Sequence, residues 1–137
     1  MRTALDSNVL SAIWSAEATT PTLLRQLAEA RAAGALLIAP AVYAELHAYP
    51  GATAAWLDGF LEATGVRVDF ELEAQVWREA GSRYARYAER RRQTAGTQPR
   101  RLLADFLIGA HALVQADRLL TLDAGVYRQD FPELKIF

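Results

Sequence analysis

The sequence predicts an α/β protein with a central, mainly parallel sheet of four to five strands layered between helices. Two observations carry this. Short apolar runs recur along the 137 residues, and helical stretches of about ten residues or more separate them, the spacing that parallel crossovers require. The composition, 52% hydrophobic and 23% charged, is that of a globular chain able to bury a core, and residues 1–137 are read as one domain.

The elements follow in order. "RTAL" (residues 2–5) reads as a short buried strand. Residues 8–14 and 21–33 read as helices, the second with a threonine cap, a proline in its first turn and Gly34 as its stop. "ALLIA" (35–39) is the clearest strand, and Pro40 opens a helix to about Ala48. "YPG" breaks it, 53–64 is helical again, and Gly65 ends that helix before the alternating "VRVDF" (66–70). Residues 71–92 form a long helix with Leu72, Val76, Ala80, Tyr84 and Tyr87 along one stripe. "QTAGTQP" is a loop, 101–115 is helical, and "RLLTL" (118–122) and "LKIF" (134–137) are the last strands.

Composition removes several function classes. No apolar run is long enough to span a membrane. The first residues carry an arginine and then an acid where an apolar core would continue, so no signal peptide is expected and a cytoplasmic location is. There is no cysteine, hence no disulfide and no thiolate metal site. The net charge of −1 means that any nucleic-acid role needs a local basic patch. Residues 78–101 supply one: Arg78, Arg83, Arg86, Arg90, Arg91, Arg92, Arg100 and Arg101. They form either a solvated helix face, with Glu79 and Glu89 as partners, or a phosphate-contacting rim in which Arg90, Arg91, Arg92, Arg100 and Arg101 meet RNA. Tyr84 and Tyr87 lie among them and could stack on bases, although their helical spacing also suits core packing.

In a parallel sheet, reactive groups gather outside the carboxyl ends of the strands. Four acids fall there. Asp6 follows the first strand, Glu45 lies on the helix after the second, Asp105 is in the first turn of a late helix, and Asp123 follows the fourth strand. Each is embedded in an apolar segment. Singly, Asp6 and Asp105 could be helix caps and Asp123 a turn residue. Together at one rim they would repel unless a cation compensates, and an all-oxygen set suits Mg2+ or Mn2+.

These segments resemble the PIN-domain family, and within it the VapC-type toxin ribonucleases of bacterial toxin–antitoxin pairs. "LDSNVL" is similar to the family's opening motif, "APAVYAELHA" to its second, "LADFLIGAHAL" to its third, and "RLLTLDAGVYRQDFPELKIF" to its T-x-D motif and closing segment. The segment before Asp105, "RRLLAD", departs from the family's Ser/Pro helix start. The resemblance implies a PIN-like three-layer α/β/α sandwich. It implies that Asp6, Glu45, Asp105 and Asp123 are the catalytic, metal-binding acids, with Ser7 or Asn8 orienting Asp6 or a water and Thr121 holding Asp123 or a water. It further implies Mg2+- or Mn2+-dependent hydrolysis of RNA, a homodimer, and a small VapB-like antitoxin on the early helices. Two rivals stand beside it. A phosphoryl-transfer fold of the haloacid-dehalogenase or response-regulator kind would want a lysine near the phosphate, and the only lysine is Lys135. A PIN-like nuclease of RNA processing, or a module that only binds RNA or a partner, would keep the fold without the toxin role.

Overall fold

The computed structural model describes residues 1–137. Its sheet has four strands: β1 (Arg2–Leu5), β2 (Ala35–Ile38), β3 (Val66–Val68) and β4 (Arg118–Leu120). Their order is β3-β2-β1-β4, and every pairing is parallel. Seven helices connect them: α1 (Ser7–Trp14), α2 (Thr20–Ala33), α3 (Pro40–Leu46), α4 (Ala54–Thr64), α5 (Ala74–Gln93), α6 (Leu103–Gln115) and α7 (Ala124–Asp130).

The chain steps from β1 to β2 to β3 in one direction, then crosses back over the sheet to β4. Right-handed crossovers therefore put α1, α2 and α4 on one face and α5 and α6 on the other. The packing agrees, with α2 against β1 and β2, α4 against β3, and α6 against β1 and β4. This is the three-layer sandwich expected from the sequence. The buried core runs through the strands, Ala4 and Leu5, Leu36 to Ile38, Leu119 and Leu120, and continues into Val9, Leu10, Val42, Phe106 and Ile108 on the helices. No helix is long and apolar enough to cross a membrane.

Several boundaries differ from expectation. The strand expected over 134–137 is reduced to one bridge, Leu119 with Ile136, so the sheet has four strands and not five. The strands at 66–70 and 118–122 end two residues early, at Val68 and Leu120. Their last residues leave the ladder to carry polar groups, Asp69 and Thr121, at the rim. Helix α7 follows Asp123 directly and was not foreseen. The stripe on the long helix is Val76, Ala80, Arg83 and Tyr87; Arg83 is buried while Tyr84 is 38% exposed. Arg83 can be buried because the C-terminal segment satisfies it: it pairs with Glu79 and Glu133, donates to the Asp130 carbonyl at 2.8 Å, and lies 4.6 Å over the Phe131 ring. Trp56 and Trp77 are exposed despite their size. The threonine expected to cap α2 makes no side-chain cap bond, whereas Thr53 caps α4 by accepting from the Trp56 N–H at 3.1 Å.

Candidate active site

The strand order reverses beside β1, and the carboxyl ends of β1 and β4 are where an open parallel sheet places its crevice. The backbone N–H of Asp6 donates to the Leu120 carbonyl at 3.0 Å, extending the β1–β4 pairing by one residue and fixing Asp6 at that crevice. Extended backbone at Asp6 then turns into α1, and its carboxylate caps the helix by accepting from the Ser7 N–H at 2.8 Å. The same carboxylate, 6% exposed, accepts from the Thr121 hydroxyl at 2.9 Å and the Tyr127 hydroxyl at 2.7 Å. Asp6 is thus both a helix cap and a fully oriented acid of the crevice.

The other acids are arranged around it. Glu45, on α3, turns its carboxyl toward α1 and accepts from the Ser7 hydroxyl at 3.3 Å. Asp105, at the third position of α6, accepts from the Leu102 N–H at 3.1 Å and so closes the start of its own helix. Burial holds the Asp6 carboxyl above its ordinary range; hydrogen bonds from Tyr127, Thr121 and Ser7 pull it back down, and the Asp105 charge pushes it up again. Glu45 is raised by partial burial of its carboxyl and by the charges of Asp6 and Asp105. Tyr127 is kept protonated by burial and by the charges of Asp6, Asp105 and Glu45. Three acids therefore feel one another. Asp123 stands apart: it is exposed at the start of α7, its side chain makes no cap bond, and only its backbone N–H is engaged, donating to Thr121 Oγ1 at 3.0 Å.

The supporting residues have defined tasks. Ser7 bridges Asp6 and Glu45. Asn8 braces the loop after β4, donating to Thr121 Oγ1 at 3.4 Å and accepting from the Leu122 N–H at 3.2 Å. Thr121 joins Asn8, Asp123 and Asp6 through one hydroxyl. Tyr127 is the residue that sequence reading missed. Its signal was a tyrosine four positions after Asp123, which α7 turns back onto Asp6. Asp69, the acid after β3, gave no signal either, but it pairs with buried His111 at 2.9 Å and so serves the packing of α6. Gly109 packs against the C-terminal segment: a Cβ there would sit 2.5 Å from the Phe131 ring.

The donors at Asp6, Glu45 and Asp105 are all carboxylate oxygens, and their mutual repulsion is what a hard divalent cation relieves. As they stand, no three acidic or histidine side chains close to metal-holding distance. Of the predicted arginines, Arg90 pairs with Asp130 and Arg92 with Glu89, while Arg91, Arg100 and Arg101 have no acidic partner.

The chain matches the PIN domain family over residues 3–132. No curated protein sequence matches it. Among solved structures it is similar to VapBC2 from Rickettsia felis, crystallised with a DNA fragment from the promoter, at 20% identity and a TM-score of 0.68, covering 100% of this chain and 98% of that one. It is likewise similar to VapBC-1 from nontypeable Haemophilus influenzae, at 20% identity and a TM-score of 0.67, covering 100% and 97%. The family match spans nearly the whole chain and includes Asp6, Glu45, Asp105 and Asp123, and the fold agrees with both structures; the chain belongs to the PIN domain family.

Proposed function

We propose that the chain is a divalent-metal-dependent endoribonuclease and the toxin of a toxin–antitoxin pair. The observation that carries this reading is Asp6, an acid held at the switch point by three donors, pushed up by the charge of Asp105 and itself pushing up Glu45. A structural cap needs one donor and no neighbouring acids. Asp6, Glu45 and Asp105 would hold Mg2+ or Mn2+, with Asp123 at the rim. The ion would supply the acidified water and the neutralisation of charge that phosphodiester hydrolysis needs. The chain's own residues set the geometry. Ser7 fixes the separation of Asp6 and Glu45, Thr121 and Tyr127 lock the Asp6 carboxylate, and Asn8 keeps Thr121 in place. The toxin role is suggested by the VapBC proteins that share the fold. It carries with it a small antitoxin partner and a homodimer.

Replacement of Asp6 by Asn preserves shape and removes the charge. Cleavage of single-stranded RNA in Mg2+ or Mn2+ should fall by roughly a thousandfold or more while the melting curve survives. Wild-type cleavage by the variant would dismiss the site. One observation favours a second reading, a PIN module that binds without cutting: the acids do not close to metal-holding distance unaided. RNA left intact by the wild type in both metals would select that reading.

A further inference from the structure

Six of the eight arginines of residues 78–101 separate into two groups. Arg83, Arg90 and Arg92 are engaged, with Glu79 and Glu133, with Asp130 and with Glu89 respectively. Arg91, Arg100 and Arg101 are not. They converge on one cleft of about 400 Å³ between the end of α5 and the start of α6, beside Tyr84, Tyr87 and Leu103, and no acid lines it. That volume is in the range of pockets that hold small ligands, roughly 300–1,000 Å³. Three guanidinium groups facing a space without a counter-charge form an electrostatic trap for an anion.

The cleft is also built, not incidental. The buried Tyr87 hydroxyl donates to the Pro99 carbonyl at 3.2 Å and accepts from the Arg101 N–H at 2.6 Å, so the loop bearing Arg100 and Arg101 is tied to α5 through its backbone. Tyr84 packs edge-on against buried Phe106, ring centres 5.3 Å apart, and stays 38% exposed at the mouth. Arg101 also lines the adjoining small pocket that contains Asp105 and Tyr127. Arg101 thus stands between the cleft and the residues Asp105 and Tyr127.

We propose that this cleft is a nucleotide subsite for single-stranded RNA, in which Arg91, Arg100 and Arg101 hold backbone phosphates and Tyr84 stacks on a base beside the bond cut at the crevice. It rests on the nuclease reading above and names where that substrate lies. A single strand presents an anion and an aromatic face at every residue, which is what three free arginines beside an anchored, exposed tyrosine can take. An acidic peptide offers the charge without the ring. The helix-face arginines Arg90 and Arg92 lie outside the subsite because their charges are already answered within the protein.

The test is a fluorescence-anisotropy titration of a short, labelled, mixed-sequence single-stranded RNA in EDTA, so that binding is read without cleavage. The triple variant Arg91→Gln, Arg100→Gln, Arg101→Gln keeps the backbone tether to Tyr87 and should fold as the wild type. Its affinity should fall at least tenfold, and its salt slope should flatten by about two, because each phosphate neutralised on a single strand adds roughly 0.7 to the slope. Tyr84→Ala should weaken binding by about fivefold or more, and Tyr84→Phe should restore it. Arg92→Gln, whose partner is Glu89, should bind as the wild type. An unchanged affinity and slope in the triple variant overturn the subsite, as does equally tight, equally arginine-dependent binding of poly-glutamate. Failure of the two readings is distinguishable. Asp6-dependent cleavage with arginine-independent binding removes the subsite alone; arginine- and Tyr84-dependent binding with no cleavage in Mg2+ or Mn2+ removes the nuclease reading alone.

Discussion

Asp6 accepts three hydrogen bonds below 3 Å and is still held above its ordinary range, because burial outweighs them. Remove a donor and the balance moves further in the same direction. Tyr127→Phe deletes the 2.7 Å bond from a buried hydroxyl. Asp6 should then ionise only at higher pH, and the acid limb of the cleavage profile should shift upward. The rate near neutrality should drop roughly ten- to a hundredfold, the usual cost of losing the group that orients a ligand. A pH–rate profile that superposes on the wild type would show that Tyr127 only fills space. At this scale the sequence was partly legible. Asp6, Glu45 and Asp105 could be picked out because each is an acid in an apolar segment at a strand or helix boundary. Tyr127 could not, because an aromatic four residues beyond an acid reads as core until α7 is known to exist. Arg83 could not either, since only the tertiary contact with Glu133 and Phe131 turns a charged residue inward.

Helix α6 shows how an element is held where the site needs it. Its outer contact is a glycine: any side chain at Gly109 meets the Phe131 ring, with Cε2 only 2.5 Å from an added Cβ. Gly109→Ala should therefore destabilise by about 1–3 kcal/mol, the usual cost of overpacking, despite alanine's better helix propensity. Denaturant unfolding would check it, and a stabilised variant would mean that Phe131 moves away freely. On the sheet side, His111 is fully buried and bonded through Nε2 to Asp69, while its Nδ1 has no partner. Protonation would place an N–H on that unpartnered nitrogen, and burial accordingly holds the His111 value below its ordinary one despite the Asp69 charge. The sign follows: the unfolded chain binds the proton more readily, so this contribution is complete at neutral pH and is lost as pH falls below about 6.5. Melting temperatures across that window, compared with those of His111→Asn, would isolate the effect, and parallel curves would refute it. The sequence showed α6 from its apolar run but left His111 without a partner, because Asp69 was read as part of a strand. The strand ended two residues early, and that freed the acid.

The whole molecule is a parallel sheet whose layers could be read from spacing alone, since helical stretches between apolar runs admit little else. The outer surfaces were less legible. The early helices carry Val9, Leu10, Ile13, Trp14, Leu23, Leu24 and Leu27, more apolar residues than one sheet face uses. The structure buries Val9, Leu10 and Leu23 and leaves Leu24 52% exposed. Leu24, Ile13 and Leu27 line an apolar groove of about 330 Å³ with Leu10, Phe60 and Val66, between α1, α2 and α4. On the proposed toxin reading, this groove takes an amphipathic helix of the antitoxin. The chain expressed alone should stop growth, Asp6→Asn should abolish that effect, and co-expression of the partner should restore growth. Leu24→Glu places a charge where the partner's apolar face would sit, at a position exposed enough to leave the fold intact. It should weaken the complex by at least about thirtyfold, the equivalent of roughly 2 kcal/mol. RNA cleavage by the purified variant should be unchanged, because the groove and the crevice use different residues. Growth counts and complex formation by gel filtration measure this directly. If Leu24→Glu remains fully neutralised, the partner sits elsewhere and the groove is only a surface between helices. If the wild-type chain, confirmed as folded protein, leaves growth untouched while still cutting RNA, the nuclease stands and the toxin role falls.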